Sequence, residues 1–249
     1  MLVIICRIAL LFMETFSTTE KLIEELASRV LSIKEKITYY HNIGKKIFAT
    51  SSFQTQSLPL LHILSELDFT IPIYFIDTGY LFPETYFFKE ELVSQLRLHV
   101  ISVKSPIAKL RQVDKQHQFL FMTDPDQCCY INKILPLEPI IQTHDIWISG
   151  VRSAQSKVRE GFSEEEKGKY GITRFHPLLR WTSKEIYYYS KHYELPEHPL
   201  QTKGYVSIGC IPCTAKLIDA TSLSRKGRWA GMKKEECGLH TELMEVGSK

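Results

Sequence analysis

Five of the six cysteines in this 249-residue sequence fall in three short motifs. Cys128 and Cys129 are adjacent in QCCYINK, Cys210 and Cys213 form a C-x-x-C in GCIPCT, and Cys237 stands alone in KKEECGLHTE. Four thiolates can hold zinc or an iron–sulfur cluster. Zinc sites usually draw on two C-x-x-C-like knuckles, and two adjacent thiolates reach one small ion awkwardly. A cubane spreads its irons over a larger volume, so neighbouring cysteines can each take one. The spacing at Cys128, Cys129, Cys210 and Cys213 therefore leans toward iron–sulfur. The alternatives are zinc, a thioredoxin-type redox pair at GCIPC, and four unrelated buried cysteines. A redox C-x-x-C belongs near the start of a small βαβ domain, not in a late segment rich in proline and glycine.

Cys237 poses a separate question. Structural cysteines are usually buried and inert, yet Lys233, Lys234, Glu235 and Glu236 make its segment too charged for core. Basic residues recur near the other motifs. Lys133 follows the cysteine pair, Arg152 and Arg159 follow WISG, and Arg225, Lys226 and Arg228 lie in SRKGRWAG shortly before Cys237. Arginine grips phosphate and sulfate oxygens in bidentate fashion. Scattered cations are solvated surface, so these matter only if the fold gathers them at one point.

The elements that would do so alternate along the chain. STTEKLIEELASRVLSIKEKITYYH reads as an amphipathic helix, with Ser17 and Glu20 as a capping box and Leu22, Leu26, Val30, Ile33, Ile37 and Tyr40 on one face. KKIFATSS, IPIYFIDTG, RLHVISV and DIWISGVRS read as strands. QSLPLLHILSEL, FPETYFFKEELVSQL, a stretch beginning at DQCCYINK, and TSKEIYYYSKHYEL capped by Thr182 and Glu185 read as helices. This alternation predicts an α/β fold with a mostly parallel sheet flanked by helices. Ligands of such folds sit beyond the carboxyl ends of the strands. The polar turns TSSFQTQS, DTGY and SGVRSAQSKVR fall there. Small hydroxyls and backbone N–H groups in the first suit a phosphate or nucleotide, although serine and threonine are also ordinary turn residues. Asp77 of DTGY would accept from a ligand or cap its own turn.

Composition sets the frame. The hydrophobic fraction is 44% and the charged fraction 24%, ordinary for a globular protein. A net charge of +3 is too mild to argue for nucleic acid. Too few cysteines are present for a disulfide scaffold, and no secretion signal is legible, so reduced thiols in the cytoplasm are expected. MLVIICRIALLF is too short to span a bilayer and carries Arg7. Residues 1–12 read as a mis-assigned start, with translation beginning at Met13, or as a disordered hydrophobic arm; Cys6 is given no role.

In order, FIDTGYLFPETY, CCYINKILPL, WISGVRSAQSKVR, HPLLRWTSKEIYYY, GYVSIGCIPCT and GRWAGMKKEECGLHT resemble the assimilatory adenylyl-sulfate and phosphoadenylyl-sulfate reductases, in particular their iron–sulfur branch. The resemblance runs from about Lys45 to Thr241. It implies an adenine-nucleotide α-hydrolase-like fold with a modified pyrophosphate loop, a sulfonucleotide-binding domain over 13–224 and a mobile catalytic tail over 225–249. It also implies that Cys237 is the nucleophile and forms an S-sulfonate, from which reduced thioredoxin or glutaredoxin releases sulfite. Cys128, Cys129, Cys210 and Cys213 would bind a 4Fe-4S cluster, with Lys133 linking it to the phosphosulfate. Arg159, Arg225, Arg228 and His240 would hold the phosphosulfate, and Ser51, Ser52, Thr78 and Gly150 would contact adenosine. Adenylyl sulfate is the expected substrate; its 3′-phosphorylated form is the alternative. The family usually has glycine where Gln54 stands, so the first turn needs an outward path for that side chain or a changed shape.

Two rivals remain. A pyrophosphate-loop enzyme that modifies tRNA should show S-G-G-x-D-S, and the glycine pair is absent. A zinc-stabilised nucleic-acid-binding module would be more basic, with aromatics among its cations. Neither nucleic acid nor a membrane is an expected partner, and the oligomeric state is left open, a homo-oligomer included.

Overall fold

The computed structural model describes residues 2–216, 227–229, 234 and 236–244, with side chains described from residue 19 onward. The chain opens on one long helix, α1 (Leu2–Asn42). Leu26, Val30, Ile33, Ile37 and Tyr40 are all buried, so the predicted apolar stripe is the face that meets the core. Ser17 and Glu20 do not start this helix, because the backbone is already helical before them. The preceding residues contain neither glycine nor proline, so nothing breaks the helix there.

Six strands follow in a single sheet: β1 (Ile47–Thr50), β2 (Ile73–Asp77), β3 (Val100–Lys104), β4 (Ile146–Ser149), β5 (Glu165–Lys167) and β6 (Thr173–Phe175). Their order is β3-β2-β1-β4-β6-β5. Every neighbouring pair is parallel except β5–β6. The mostly parallel α/β fold expected from the sequence is present. The last two strands were not foreseen. Each has three residues, and Glu165, Glu166 and Lys167 carry no apolar alternation.

The helices are α2 (Leu58–Ser65), α3 (Pro83–Leu96), α4 (Leu120–Thr123), α5 (Pro125–Cys129), α6 (Glu138–Ile141), α7 (Lys157–Glu160) and α8 (Ser183–His192). At α8, Thr182 Oγ1 accepts from the Glu185 N–H at 3.1 Å and Glu185 Oε2 accepts from the Thr182 N–H at 2.5 Å, the reciprocal cap the sequence indicated. The helical stretch expected from DQCC is broken. A π-turn over Tyr130–Ile134 separates α5 from α6.

Alternating strand residues feed two cores. Ala49, Ile73, Phe75 and Ile148 pack with α1, α2 and α8. Phe48 and Trp147 pack on the other face with Ile134, Leu137, Ile141 and Leu243. Among the described residues no helix is long and apolar enough to cross a membrane.

Candidate active site

The sheet places the site. β1 has β2 on one side and β4 on the other, so the chain leaves their carboxyl ends in opposite directions and a crevice opens between them. Thr50 pairs with Ser149 at the last rung. A cavity of about 220 Å³ lies beyond it. Ser51, Ser52, Thr78 and Gly150 line it, as do Lys133, Arg159, Arg228, Cys237 and His240. One fold thus gathers the predicted residues from segments scattered over the chain. Arg225 lies outside the described residues.

The first turn is shaped by its own side chains. Ser51 Oγ accepts from the Phe53 N–H at 3.1 Å, and Phe53 itself takes the left-handed conformation, with φ of 52°. Gln54 stays extended, with φ of −79°, so glycine is not needed there. Its Oε1 accepts from the Ile208 N–H at 3.0 Å and its Nε2 donates to Ser52 Oγ at 3.1 Å. Gln54 therefore ties the first turn to the segment that leads into Cys210. Asp77 settles as a turn cap. It accepts from the Gly79 N–H at 2.9 Å and Tyr86 Oη at 2.5 Å, and pairs with Lys104 at 3.3 Å. Burial opposes its charge, but these donors outweigh it and hold the carboxyl below its usual range. Arg152, also in the crevice wall, is anchored from behind: its guanidinium donates to Trp181 O at 3.0 Å and Gln56 Oε1 at 2.6 Å, while its buried Nε has no partner among the described residues.

The four cysteines of the paired motifs line one small cavity beside the larger one, and Thr78, Lys133 and Cys210 line both. All four thiols are buried and unbridged. Asn132, the next residue but two after Cys129, donates from Nδ2 to Cys128 Sγ at 3.6 Å and to Gln112 Oε1 at 2.7 Å. Thr78 Oγ1 lies 3.2 Å from Cys210 Sγ. The π-turn sets this register, a feature frequent at functional sites. Among the described residues no three histidines, cysteines, aspartates or glutamates converge as ligands of a single ion. Four thiols from two segments face a shared space, and soft sulfur of this kind fits an iron–sulfur cluster.

Gly209 explains how GCIPC meets the tail. A Cβ there would lie 1.7 Å from Arg228 Nη1, so only glycine admits the guanidinium. The two segments pair: Ala215 N donates to Gly227 O at 2.7 Å and Trp229 N to Cys213 O at 3.1 Å. Arg228 is buried, stacks over Trp229 at 4.7 Å, and its Nε has no hydrogen-bond partner among the described residues. A buried guanidinium N–H without an acceptor, in a cavity wall, is suited to an anion.

The tail corrects one expectation. Its charged segment is packed against the rest of the protein, and Cys237 is only 7% exposed. Leu243 sits in the second core, its carbonyl accepts from the Lys169 N–H at 3.0 Å, and Lys234 pairs with Asp126. Gly238 lets the chain approach, since a Cβ there would lie 2.7 Å from Ile134 Cδ1. Of the charged residues before Cys237, Lys234 and Glu236 thus mark docking contacts and not solvent. Lys133 Nζ stands 3.8 Å from Cys237 Sγ. Burial opposes the lysine's charge, but negative charge on the neighbouring cysteines, Cys237 foremost, outweighs it and pushes its pKa up. The hydrogen bond with Cys237, reinforced by burial, pushes the Cys129 thiol well above the usual range.

His240 is oriented by Arg174, a residue no local motif marks. Arg174 Nη2 donates to His240 Nδ1 at 3.2 Å. Arginine has no acceptor, so Nδ1 must be the unprotonated nitrogen and Nε2 carries the proton. Arg174 in turn pairs with Glu166 at 3.3 Å, and Glu166 accepts from His176 at 2.9 Å. Nothing in TRFHP alone marks Arg174, whose role depends on a tail 66 residues away.

The fold is adenine-nucleotide α-hydrolase-like, with a thiol beside a lysine in the crevice beyond the carboxyl ends of its strands. Residues 46–216 match the family model of the phosphoadenosine phosphosulfate reductase domain, and the chain belongs to that family. It is 38% identical to an adenosine 5'-phosphosulfate reductase of Oceanobacillus iheyensis, over 81% of this chain and 85% of that one. It is 34% identical to the adenosine 5'-phosphosulfate reductase of Salinibacter ruber, over 81% and 80%. In fold it resembles the phosphoadenylyl-sulfate reductase of Candida auris, with a TM-score of 0.62 at 20% identity, over 74% of this chain and 89% of that one. An FMN adenylyltransferase of Candida glabrata superposes with a TM-score of 0.56 at 18% identity, over 78% and 67%.

Proposed function

We propose that this protein reduces adenylyl sulfate to sulfite and AMP, with Cys237 as nucleophile and a thioredoxin-type dithiol as reductant. The observation that carries this is the 3.8 Å approach of Lys133 Nζ to Cys237 Sγ at the wall of a nucleotide-sized crevice. A lysine cation at that distance favours thiolate, the reactive form. The thiolate attacks the sulfur of the phosphosulfate. The S–O bond to phosphate breaks, AMP leaves with the electron pair, and Cys237 carries an S-sulfonate. A thiolate of the reductant then attacks Cys237 Sγ, and sulfite departs with the S–S electron pair. The second thiol of the reductant resolves the mixed disulfide, so the dithiol supplies both electrons and Cys237 returns as thiolate. Since Cys237 is buried, the tail must undock before the reductant reaches it.

Arg228 and His240 bind the anionic end of the substrate, and Ser51, Ser52, Thr78 and Gly150 surround the adenosine. Cys128, Cys129, Cys210 and Cys213 would hold a 4Fe-4S cluster, which, saturated by four cysteines, would supply positioning and electrostatics and no open site for the substrate. The names of the bacterial relatives favour adenylyl sulfate over its 3′-phosphorylated form. The role this implies is cytoplasmic sulfate assimilation toward cysteine. The test is sulfite release by anaerobically purified protein with reduced thioredoxin, comparing the two nucleotides. Faster turnover of adenylyl sulfate is expected; no sulfite from either would overturn the reading.

A further inference from the structure

Arg159 was expected to hold the substrate, but its guanidinium already grips a carboxylate. Nε donates to Glu236 Oε2 and Nη2 to Glu236 Oε1, both at 3.0 Å. Its Nη1 donates to Gln155. Ser156 Oγ donates to Glu236 Oε2 at 2.7 Å, and the Cys237 N–H donates to Glu236 Oε1 at 2.9 Å. The side chains of Arg159 and Glu236 are 7% and 3% exposed. Such a fork of two parallel charge-assisted bonds fixes direction as well as distance. It is made by the residue immediately before the nucleophile, and the same carboxylate also holds the nucleophile's own backbone N–H.

We propose that Glu236 is a positioning residue that docks the catalytic tail. Through Arg159 and Ser156 it sets the backbone of Cys237 so that the thiol arrives at Lys133. This inference rests on the reductase reading above. It divides the two half-reactions: sulfonation of Cys237 needs the docked tail, whereas release of sulfite to the reductant needs it undocked. Removing the Glu236 charge should therefore slow the first and leave the second as it was.

The experiment uses cluster-loaded full-length protein, wild type, Glu236→Gln and Glu236→Asp. Without substrate, iodoacetamide labelling of Cys237 is followed by mass spectrometry of its peptide. Labelling several-fold faster in Glu236→Gln is expected, with partial return toward wild type in Glu236→Asp. With adenylyl sulfate in single turnover, Cys237 S-sulfonate should form about a hundredfold more slowly in Glu236→Gln, the loss a misplacement of about 1 Å produces. Sulfite release from preformed S-sulfonate by excess reduced thioredoxin should be unchanged. Unchanged labelling would overturn the proposal. So would a parallel loss in both half-reactions with a lower Tm, which marks a merely structural pair. Wild-type sulfonation with tighter AMP binding would overturn it too, since Glu236 would then only compete with nucleotide for Arg159. If wild-type protein forms no S-sulfonate at all, the reductase reading fails while the labelling comparison still reads the docking.

Discussion

Lys133 Nζ and Cys237 Sγ stand 3.8 Å apart although 104 residues separate them in the chain. The π-turn after the cysteine pair presents the lysine, and the docked tail brings the thiol. An ammonium at this distance stabilises a thiolate against water's competition, more so in a buried site. Lys133→Gln should slow S-sulfonation by about a hundredfold, the usual cost of one preorganised electrostatic contact. It should also move the pH profile of Cys237 alkylation to higher pH, because the thiolate loses its counter-charge. An unchanged profile would show that the lysine serves the substrate alone.

On the proposed reading the cysteines separate by function. Cys237→Ser should abolish sulfite release while AMP binding and iron content stay as in wild type, measured by calorimetry and metal analysis. Cys210→Ala should lose iron instead, because its thiol lines the four-cysteine cavity. Binding energy at such a site is folding energy, so Tm should fall by about 10 °C, the shift that ~3 kcal/mol produces in a chain of this size. A Cys210→Ala protein with full iron would refute the ligand set.

Gly209 provides a test of Arg228. A Cβ at position 209 would collide with Nη1 at 1.7 Å, and the guanidinium must yield. Overpacking costs of ~1–3 kcal/mol are usual. In Gly209→Ala the cost should appear as a KM for adenylyl sulfate raised about tenfold, equivalent to ~1.4 kcal/mol. The affinity for AMP, which lacks the sulfate, should change much less. Equal losses for both ligands would place Arg228 away from the sulfonyl end.

What the sequence displayed follows from the range of each interaction. The stripe from Leu26 to Tyr40 is legible because one helix face makes it, and Thr182 with Glu185 because a cap spans three residues. The cysteine motifs are legible as local patterns, and their meeting in one cavity follows once the strands order as β2-β1-β4. The packing of the tail is not legible because its partners are remote. Glu236 looks like solvent-exposed charge until Arg159, 77 residues earlier, is set beside it. The burial of Cys237 is hidden for the same reason. Gln54 looked like an obstacle because the strained residue of that turn is Phe53. β5 and β6 went unseen because strands of three residues, one of them Glu-Glu-Lys, carry no period to read.

The pH dependence of stability should carry the mark of His198. Its side chain is fully buried. Nδ1 accepts from the Leu200 N–H at 3.2 Å, which leaves Nε2 to donate to Thr85 Oγ1 at 3.1 Å. Both bonds need the neutral ring. Burial lowers the pKa from 6.5 to about 4, against a weaker opposing pull from Glu84. A depressed histidine pKa means that the unfolded chain binds the extra proton first, so stability rises with pH across this window. The contribution is complete above about pH 6.5 and is lost as pH falls toward 4, roughly 3 kcal/mol in all at 1.36 kcal/mol per pK unit. Urea unfolding at pH 7.5 and pH 5 should show wild type losing more stability than His198→Gln, which keeps a donor toward Thr85 but cannot titrate. Parallel losses in the two proteins would assign the acid sensitivity to other groups, such as buried His176, whose pKa burial also lowers.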